Sequence, residues 1–393
     1  MLSLKLFLIK AFALGIICAV VIYVLYLIKA VASYAKHIMS EIKNRIILQC
    51  ITLKGHTDAI HSAQWSPDGS QVITGSLDGT ARIWDSQKGK SLHILNDRHQ
   101  QVCEVAWSPD GFAVATTSKD ATTYLCDAHS GQLMHVLAGH TGGACEIAFS
   151  PNNHNVATGT SNGSVYIWDT QSGKLENILQ GHKDGITALS WSHDGLCLVT
   201  ASWDGTSRVW NSTTGESIHT LHDIYDTFFM TTVLPNSQAH VLQICISPDG
   251  QNIATGSILG TVALWNIQTG NLIERLTEHT GSIQALNFSQ DGRLLASAST
   301  DDTVRIWDTS NSQCLYTLAG HTEGARAITF NPDGTILATA DGNGRLFIWD
   351  TATGKRLRLI DGHTDRIRSL TFSPAGSHLL SASQDHTARI WKV

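Results

Sequence analysis

The sequence predicts an all-β repeat array of eight copies of a four-stranded antiparallel unit, preceded by one transmembrane α-helix. Three observations predict it. A ten-residue fragment, SLDGTARIWD at 76–85, returns in variant form at a fixed interval to the end of the chain. Between its copies, short segments of alternating apolar and polar residues are separated by Gly- and Asp-bearing turns, the two-residue period of half-buried strands. Residues 11–28, AFALGIICAVVIYVLYLI, carry no charge.

At a 1.5 Å rise per residue, that uncharged stretch spans about 27 Å as a helix, close to a bilayer core. LFLI at 6–9 extends it, with Lys10 snorkelling to the headgroups and Lys29 closing the span. A cleaved signal peptide is the competing reading. Ala30-Val31-Ala32 resembles a cleavage site, but the apolar run is long and Lys29 stands beside that site. A buried helix of a soluble protein is the third. Lys5 and Lys10 precede the span, whereas Lys29, Lys36, Lys43 and Arg45 follow it, a modest bias that predicts a single-pass membrane protein with its body in the cytoplasm. Apolar residues at Val31, Tyr34, Ile38 and Ile42 keep near-helical spacing, so 30–45 reads as a short helical linker: a stalk, a surface-lying helix or the first helix running on.

Self-comparison of the remainder gives the register. The closing column is Trp84, Cys126, Trp168, Trp210, Trp265, Trp307, Trp349 and Trp391, spaced by 42 residues except for 55 before Trp265. This column holds seven of the 11 Trp, a residue that outnumbers the 7 Tyr. Within copy one, AIHSAQW alternates, SPDGS turns, QVITGS alternates, LDG turns and TARIWD alternates. A small antiparallel sheet of this kind cannot bury both faces alone, so successive copies must stack.

These residues resemble the WD-repeat (beta-transducin-like) β-propeller family over roughly 46–393. The resemblance rests on Gly-His at 55–56, 139–140, 181–182, 320–321 and 362–363, a tight-turn Asp and the closing Trp-Asp, at 42-residue spacing. It implies a ring of eight four-stranded blades. The chain stops at Val393, just after the third strand of the last copy. IILQCITLKGH at 46–56 aligns with the fourth strands of other copies and is expected to complete that blade and clasp the ring.

Composition excludes several function classes. Residues 1–50 hold six Lys/Arg and one acid, leaving a body with 21 basic and 32 acidic side chains, a poor candidate for coating nucleic acid. The 8 Cys are scattered with no C-x-x-C or zinc-like spacing, and read as reduced thiols. No phosphate-binding, metalloprotease or nucleophile-elbow motif is present, so no enzyme activity, cofactor, metal or small-molecule substrate is expected.

Four copies contain His, Ser/Thr and Asp, the ingredients of a hydrolase triad: His56, Thr74 and Asp78 with Trp84; His182, Thr200 and Asp204 with Trp210; His279, Ser297 and Asp301 with Trp307; His363, Ser381 and Asp385 with Trp391. An enzyme needs one site, not four. The family resemblance implies a buried structural chain from Trp N–H through hydroxyl and imidazole to carboxylate. Copy two carries Arg98 and Cys126 for His and Trp, copies three and seven carry Asn162 and Asn343 for Asp, and copy five carries Ser237 and Leu259 for His and Asp. These blades are expected to be less rigid, two and five most of all.

The resemblance also places partner contacts on one face, three and five residues after the His and one before the turn Asp. Read onto this chain, those positions give Arg326, Arg366, Arg368 and His61 in one sector, suited to an acidic or phosphorylated peptide. Solvated charge paired with Asp365 or Glu323 is the plainer alternative. Roughly opposite lie Trp203, Ile258 and Leu259, beside the region of roughly 222–240 that contains the thirteen extra residues, with Tyr225, Phe228, Phe229 and Met230, which either packs on the ring or awaits a partner. His61, Cys103 and Cys145 share one position on consecutive blades, but adjacent blades are expected to hold them too far apart for metal or redox chemistry. The resulting expectation is a membrane-anchored scaffold that recruits a protein or peptide. Its alternatives are a secreted or lumenal propeller, with sequons at Asn162, Asn211 and Asn287, and a ligand sensor or enzyme using the central channel.

Overall fold

A computed structural model describes residue 29 and residues 50–95, 101–222 and 240–393. The chain divides into two units, Met1–Leu48 and Gln49–Val393, and the fold below belongs to the second. The apolar span 11–28, the linker 30–45, Arg98, Tyr225, Phe228, Phe229, Met230 and Ser237 lie outside the described residues. Among the described residues no helix is long and apolar enough to cross a membrane.

The described chain forms eight four-stranded antiparallel sheets. In blade one the strands are Ile60–Trp65, Gln71–Ser76, Ala81–Asp85 and Ser91–Leu95, and the other blades repeat that order. Neighbouring first strands touch in sequence around the molecule, and Ile367–Phe372 of blade eight touches Ile60–Trp65 of blade one, so the sheets close into a ring. Second strands lie between neighbouring blades, which is why Val72 to Ser76 is buried on both faces. The fourth strand faces solvent on one side, and Ser91–Leu95 alternates accordingly.

Local chemistry explains the recurring residues. Gly69 turns at φ 72°, a backbone conformation that a Cβ disfavours. The Asp of each Trp-Asp caps the next turn: Asp85 Oδ1 accepts from the amides of Gln87 and Lys88 at 2.9 and 2.8 Å. Asn211 does the same for Thr213 and Thr214 in blade four.

Ring closure follows the sequence expectation. Cys50–Leu53 pairs antiparallel with Ala388–Lys392, Cys50 opposite Trp391 and Leu53 opposite Ala388, making the missing strand of blade eight. Leu53 is fully buried in a cluster with Ile60, Trp84, Leu380 and Ile390, drawn from blades one and eight. Gly89 of blade one lies against Ile51 of the clasp so closely that any Cβ would collide with it.

Candidate functional site at the channel rim

Every first strand is irregular at the same place. Pairing with the second strand slips between Ile60 and Ser62, Val102 and Glu104, Ala144 and Glu146, and at the equivalent point in all the others. The skipped residues are His61, Cys103, Cys145, Thr187, Leu242, Gln284, Arg326 and Arg368. A bulge re-aims its side chain, and these eight mark the same point on each first strand. Thr187 Oγ1 donates to the Val241 carbonyl of the next blade at 2.7 Å, and Arg326 Nη1 donates to Gln284 Oε1 of the previous blade at 2.9 Å.

The predicted basic sector assembles here. Partial burial presses the Arg326 guanidinium below its usual value, and the charges of Arg366 and Arg368 add to that. Arg368 is lowered the same way by burial and then by Arg366, while His61 is lowered by burial, Arg368 and Lys119. Gln384 accepts from Arg368 Nη2 at 2.8 Å with its amide in the orientation that satisfies both groups. Among the described residues no carboxylate forms an ion pair with Arg326, Arg366 or Arg368. Asp365 instead holds the Arg366 amide, and Arg366 Nε is buried without a partner. Glu323 and Asp302 offset part of the charge on Arg326, and Asp365 part of that on Arg368, without closing an ion pair. Lys119 and Gln384 were not picked out from the sequence, although both occupy the position before the turn Asp that singled out Trp203.

The apolar sector is described only in part. Trp203 and Leu259 are 41% and 43% exposed and Ile258 38%. His240 joins them: its ring meets Trp203 edge-on at 4.9 Å and its carbonyl accepts from the Ile258 amide at 2.9 Å.

The triad-like groups are structural. Trp84 Nε1 donates to Thr74 Oγ1 at 2.8 Å, and Thr74 Oγ1 lies 2.8 Å from His56 Nε2, whose Nδ1 is 2.9 Å from Asp78 Oδ2. That chain fixes a neutral imidazole protonated on Nδ1, with the hydroxyl donating to Nε2. Blades four, six and eight repeat it with His182, Thr200, Asp204 and Trp210, with His279, Ser297, Asp301 and Trp307, and with His363, Ser381, Asp385 and Trp391. Thr74, Thr200, Ser297 and Ser381 are wholly buried and already engaged, so no substrate reaches them as nucleophiles. Burial alone would raise the Asp78 carboxyl, but hydrogen bonds from Thr80, the Thr57 amide and His56 hold it at about 2.

Blades three and seven rebuild part of this chain, whereas blades two and five lose most of it. In blade seven Asp341 takes Arg345 through Nε at 2.9 Å and Nη2 at 2.7 Å, while His321 Nε2 still meets Thr339. In blade three Asn162 Nδ2 donates to Thr141 Oγ1, and His140 Nδ1 donates to the Ala121 carbonyl of blade two at 2.9 Å. Blade five keeps the Trp265 to Thr255 bond at 3.0 Å. In blade two Cys126 is buried where Trp stands elsewhere.

Cys103 and Cys145 lie closer than the repeat spacing suggests: across the seam between blades two and three each thiol shifts the other's titration. Two carboxyls lie just below, Glu104 and Glu146, which the repeat pattern does not single out. Ser62 Oγ donates to Glu104 Oε1 at 2.5 Å. Burial pushes Glu104 up to about 7, and burial together with the Glu104 charge raises Glu146 further above its ordinary value. A carboxyl raised in the fold binds protons that the unfolded chain has released, so stability falls as pH climbs from about 4 through neutrality. Glu146→Gln is accordingly expected to raise stability more at pH 8 than at pH 4, measured by urea unfolding at both values.

Beneath the rim the ring encloses a cavity of about 720 Å³, lined among others by Ser62, Gln64, Glu104, Asn287, Thr329 and Thr371. Among the described residues no group of His, Cys, Asp and Glu is arranged to hold a metal ion.

The nucleolar protein 10-like, N-terminal domain family matches residues 143–347, and the WD domain, G-beta repeat family matches 48–85, 89–127 and 354–392. The chain belongs to the WD-repeat β-propeller family. This WD-repeat propeller is 41% identical over 51 residues to "THO complex subunit 6" of Arabidopsis thaliana, covering 13% of this chain and 14% of that one. It is 40% identical over 52 residues to "Protein groucho" of Drosophila melanogaster, covering 13% and 7%. The match thus spans 14% or less of the length of either relative. The crystal structure of the computationally designed Ika8 protein superposes with a TM-score of 0.75 at 27% identity, covering 87% of this chain and 98% of that one.

Proposed function

We propose that this WD-repeat propeller is a non-enzymatic scaffold that binds an acidic or phosphorylated segment of a partner protein at the rim sector of Arg326, Arg366 and Arg368. The observation that carries it is three guanidinium groups within mutual electrostatic reach, none in a close ion pair among the described residues, in a body that is otherwise acidic. Like charges drawn together cost energy unless an anion joins them, and the planar guanidinium matches carboxylate and phosphate in bidentate fashion. The repeat-bearing relative of Arabidopsis thaliana is, by its name, one component of a larger complex, which supports a docking role. The exposed cluster of Trp203, Ile258 and Leu259, with His61 nearer the Arg sector, supplies further contact surface. Insertion residues Tyr225, Phe228 and Phe229 extend this proposal into the 222–240 loop.

The same reading places the scaffold at a membrane through 11–28, with the propeller in the cytoplasm. The uncharged span and the Lys/Arg residues that follow it support this. The sequon at Asn287 is a poor glycan acceptor, since Asn287 lines the channel with its oxygen on the Phe330 amide.

A peptide array tests the binding claim. Phosphoserine- or Glu-rich peptides are expected to bind wild type, and Arg326→Ala/Arg366→Ala/Arg368→Ala is expected to weaken them at least about tenfold with little change in melting temperature, because rim charges carry little stability. Equal binding by the folded variant would contradict the assignment.

A further inference from the structure

Seven cysteines are described, all as free thiols, and most stand alone. Cys126 is buried, and Cys245 is held by burial well above the ordinary thiol range. Cys103 and Cys145 differ from all of these. Each is the unpaired bulge residue of its first strand, Val102–Trp107 or Ala144–Phe149, and those two strands lie side by side in the ring. Side chains at this shared position meet between neighbouring blades, as Arg326 and Gln284 do at 2.9 Å. Each sulfur also lies near the carbonyl two residues before it, 4.0 Å to Gln101 for Cys103 and 3.5 Å to Gly143 for Cys145. Both residues are half-buried, so a small reagent entering the channel mouth meets them.

We propose that Cys103 and Cys145 form a dithiol site that closes into a disulfide between blades two and three on exchange with a low-molecular-weight disulfide such as oxidised glutathione. The surroundings favour Cys145 as the attacking group. The neighbouring Cys103 thiol and the Lys119 ammonium both lower Cys145, while Cys103 is raised by the Cys145 thiol and by burial. The Cys145 thiolate attacks one sulfur of the oxidant, forming a mixed disulfide and releasing one thiolate of the reagent. Cys103 then gives up its proton and attacks the Cys145 sulfur, forming the Cys103–Cys145 bond and releasing the second thiolate. Two protein thiols are oxidised by two electrons, and one reagent disulfide is reduced to two thiols. The closed bond ties the rim of blade two to blade three, and blade two is the one with Cys126 in the Trp column.

The test equilibrates the purified full chain with stepped ratios of oxidised to reduced glutathione, alkylates it and maps its peptides without reduction. The expected result is a linked peptide containing Cys103 and Cys145, which forms before any other protein disulfide. Hydrogen exchange of the Val102–Trp107 and Ala144–Phe149 amides slows several-fold when it forms. Cys145→Ser abolishes the linked peptide. Phenylarsine oxide provides a second reading that needs no variant to fold: wild type is expected to take up one arsenical per chain, bridging these two sulfurs. Separate mixed glutathione adducts on Cys103 and Cys145, or two alkylated thiols at every ratio together with no arsenical uptake, would overturn the proposal.

Discussion

Leu53→Ala lowers the stability of the propeller by roughly 2–5 kcal/mol, out of proportion to a residue in a four-residue strand near the chain's N-terminal side. Leu53 is the buried end of the clasp, packed with Ile60 and Trp84 of blade one and Leu380 and Ile390 of blade eight. Shortening it leaves a cavity across the seam where the ring closes, and the seam is held by that strand's pairing with Ala388–Lys392. Denaturant unfolding measures the loss. Hydrogen exchange localises it, with protection expected to fall first at Ile51 to Leu53 and at Arg389 to Trp391. A loss below about 1 kcal/mol, with those amides still protected, would mean that the ring is closed by something other than the clasp.

Thr200→Val is expected to cost roughly 2–4 kcal/mol although it changes no volume to speak of. Its hydroxyl accepts from Trp210 Nε1 and meets His182 Nε2, both at 2.8 Å, so valine orphans a buried indole N–H and a buried imidazole nitrogen together. Thr255→Val in blade five is the internal comparison. Thr255 serves Trp265 with one good bond, so a loss nearer 1–2 kcal/mol is expected there. Equal losses in urea titrations would show that the four-membered chain adds nothing beyond the Trp to hydroxyl bond.

The same chains set the acid limit. Asp78 and Asp301 are held at about 2, below their unfolded values, so their contribution is present above about pH 4 and disappears as pH falls toward 2. Burial lowers His56, His279 and His363, and pushes His321 to about 4. A base kept neutral in the fold contributes fully above its unfolded value near 6.5 and loses that contribution as pH falls through its folded value. Both families of groups therefore predict a melting temperature that declines from about pH 6.5 downward, against the opposite slope of the Glu104 and Glu146 pair.

Much of this was legible from the sequence because it is local or repeated. The 42-residue register fixes which strand each residue joins, so the clasp, the four Trp–hydroxyl–His–Asp chains and the rim positions of Arg326, Arg366 and Arg368 could be read without coordinates. What could not be read depends on distances between blades. The contact of Cys103 with Cys145 requires knowing how far a bulge residue reaches across a seam, and no periodicity contains that. The replacement of a missing Asp by the Asp341–Arg345 pair was hidden because it uses the positions of Ser76 and Thr80 in blade one, which carry no charge there. Glu104 and Glu146 escaped notice because they sit one residue beyond the position that the resemblance marks, where the bulge turns them inward beside Ser62.

The most direct test of the docking account is quantitative capture from detergent-solubilised membranes of the native host. Wild-type bait is compared with Arg326→Ala/Arg366→Ala/Arg368→Ala, with melting curves to confirm that both are folded and a phosphatase-treated lysate run in parallel. The account predicts a partner retained by wild type and lost by the variant, whose binding segment, mapped by cross-linking to the rim, is acidic or phosphorylated. Recovery of the same partners in the same amounts by both baits would contradict it.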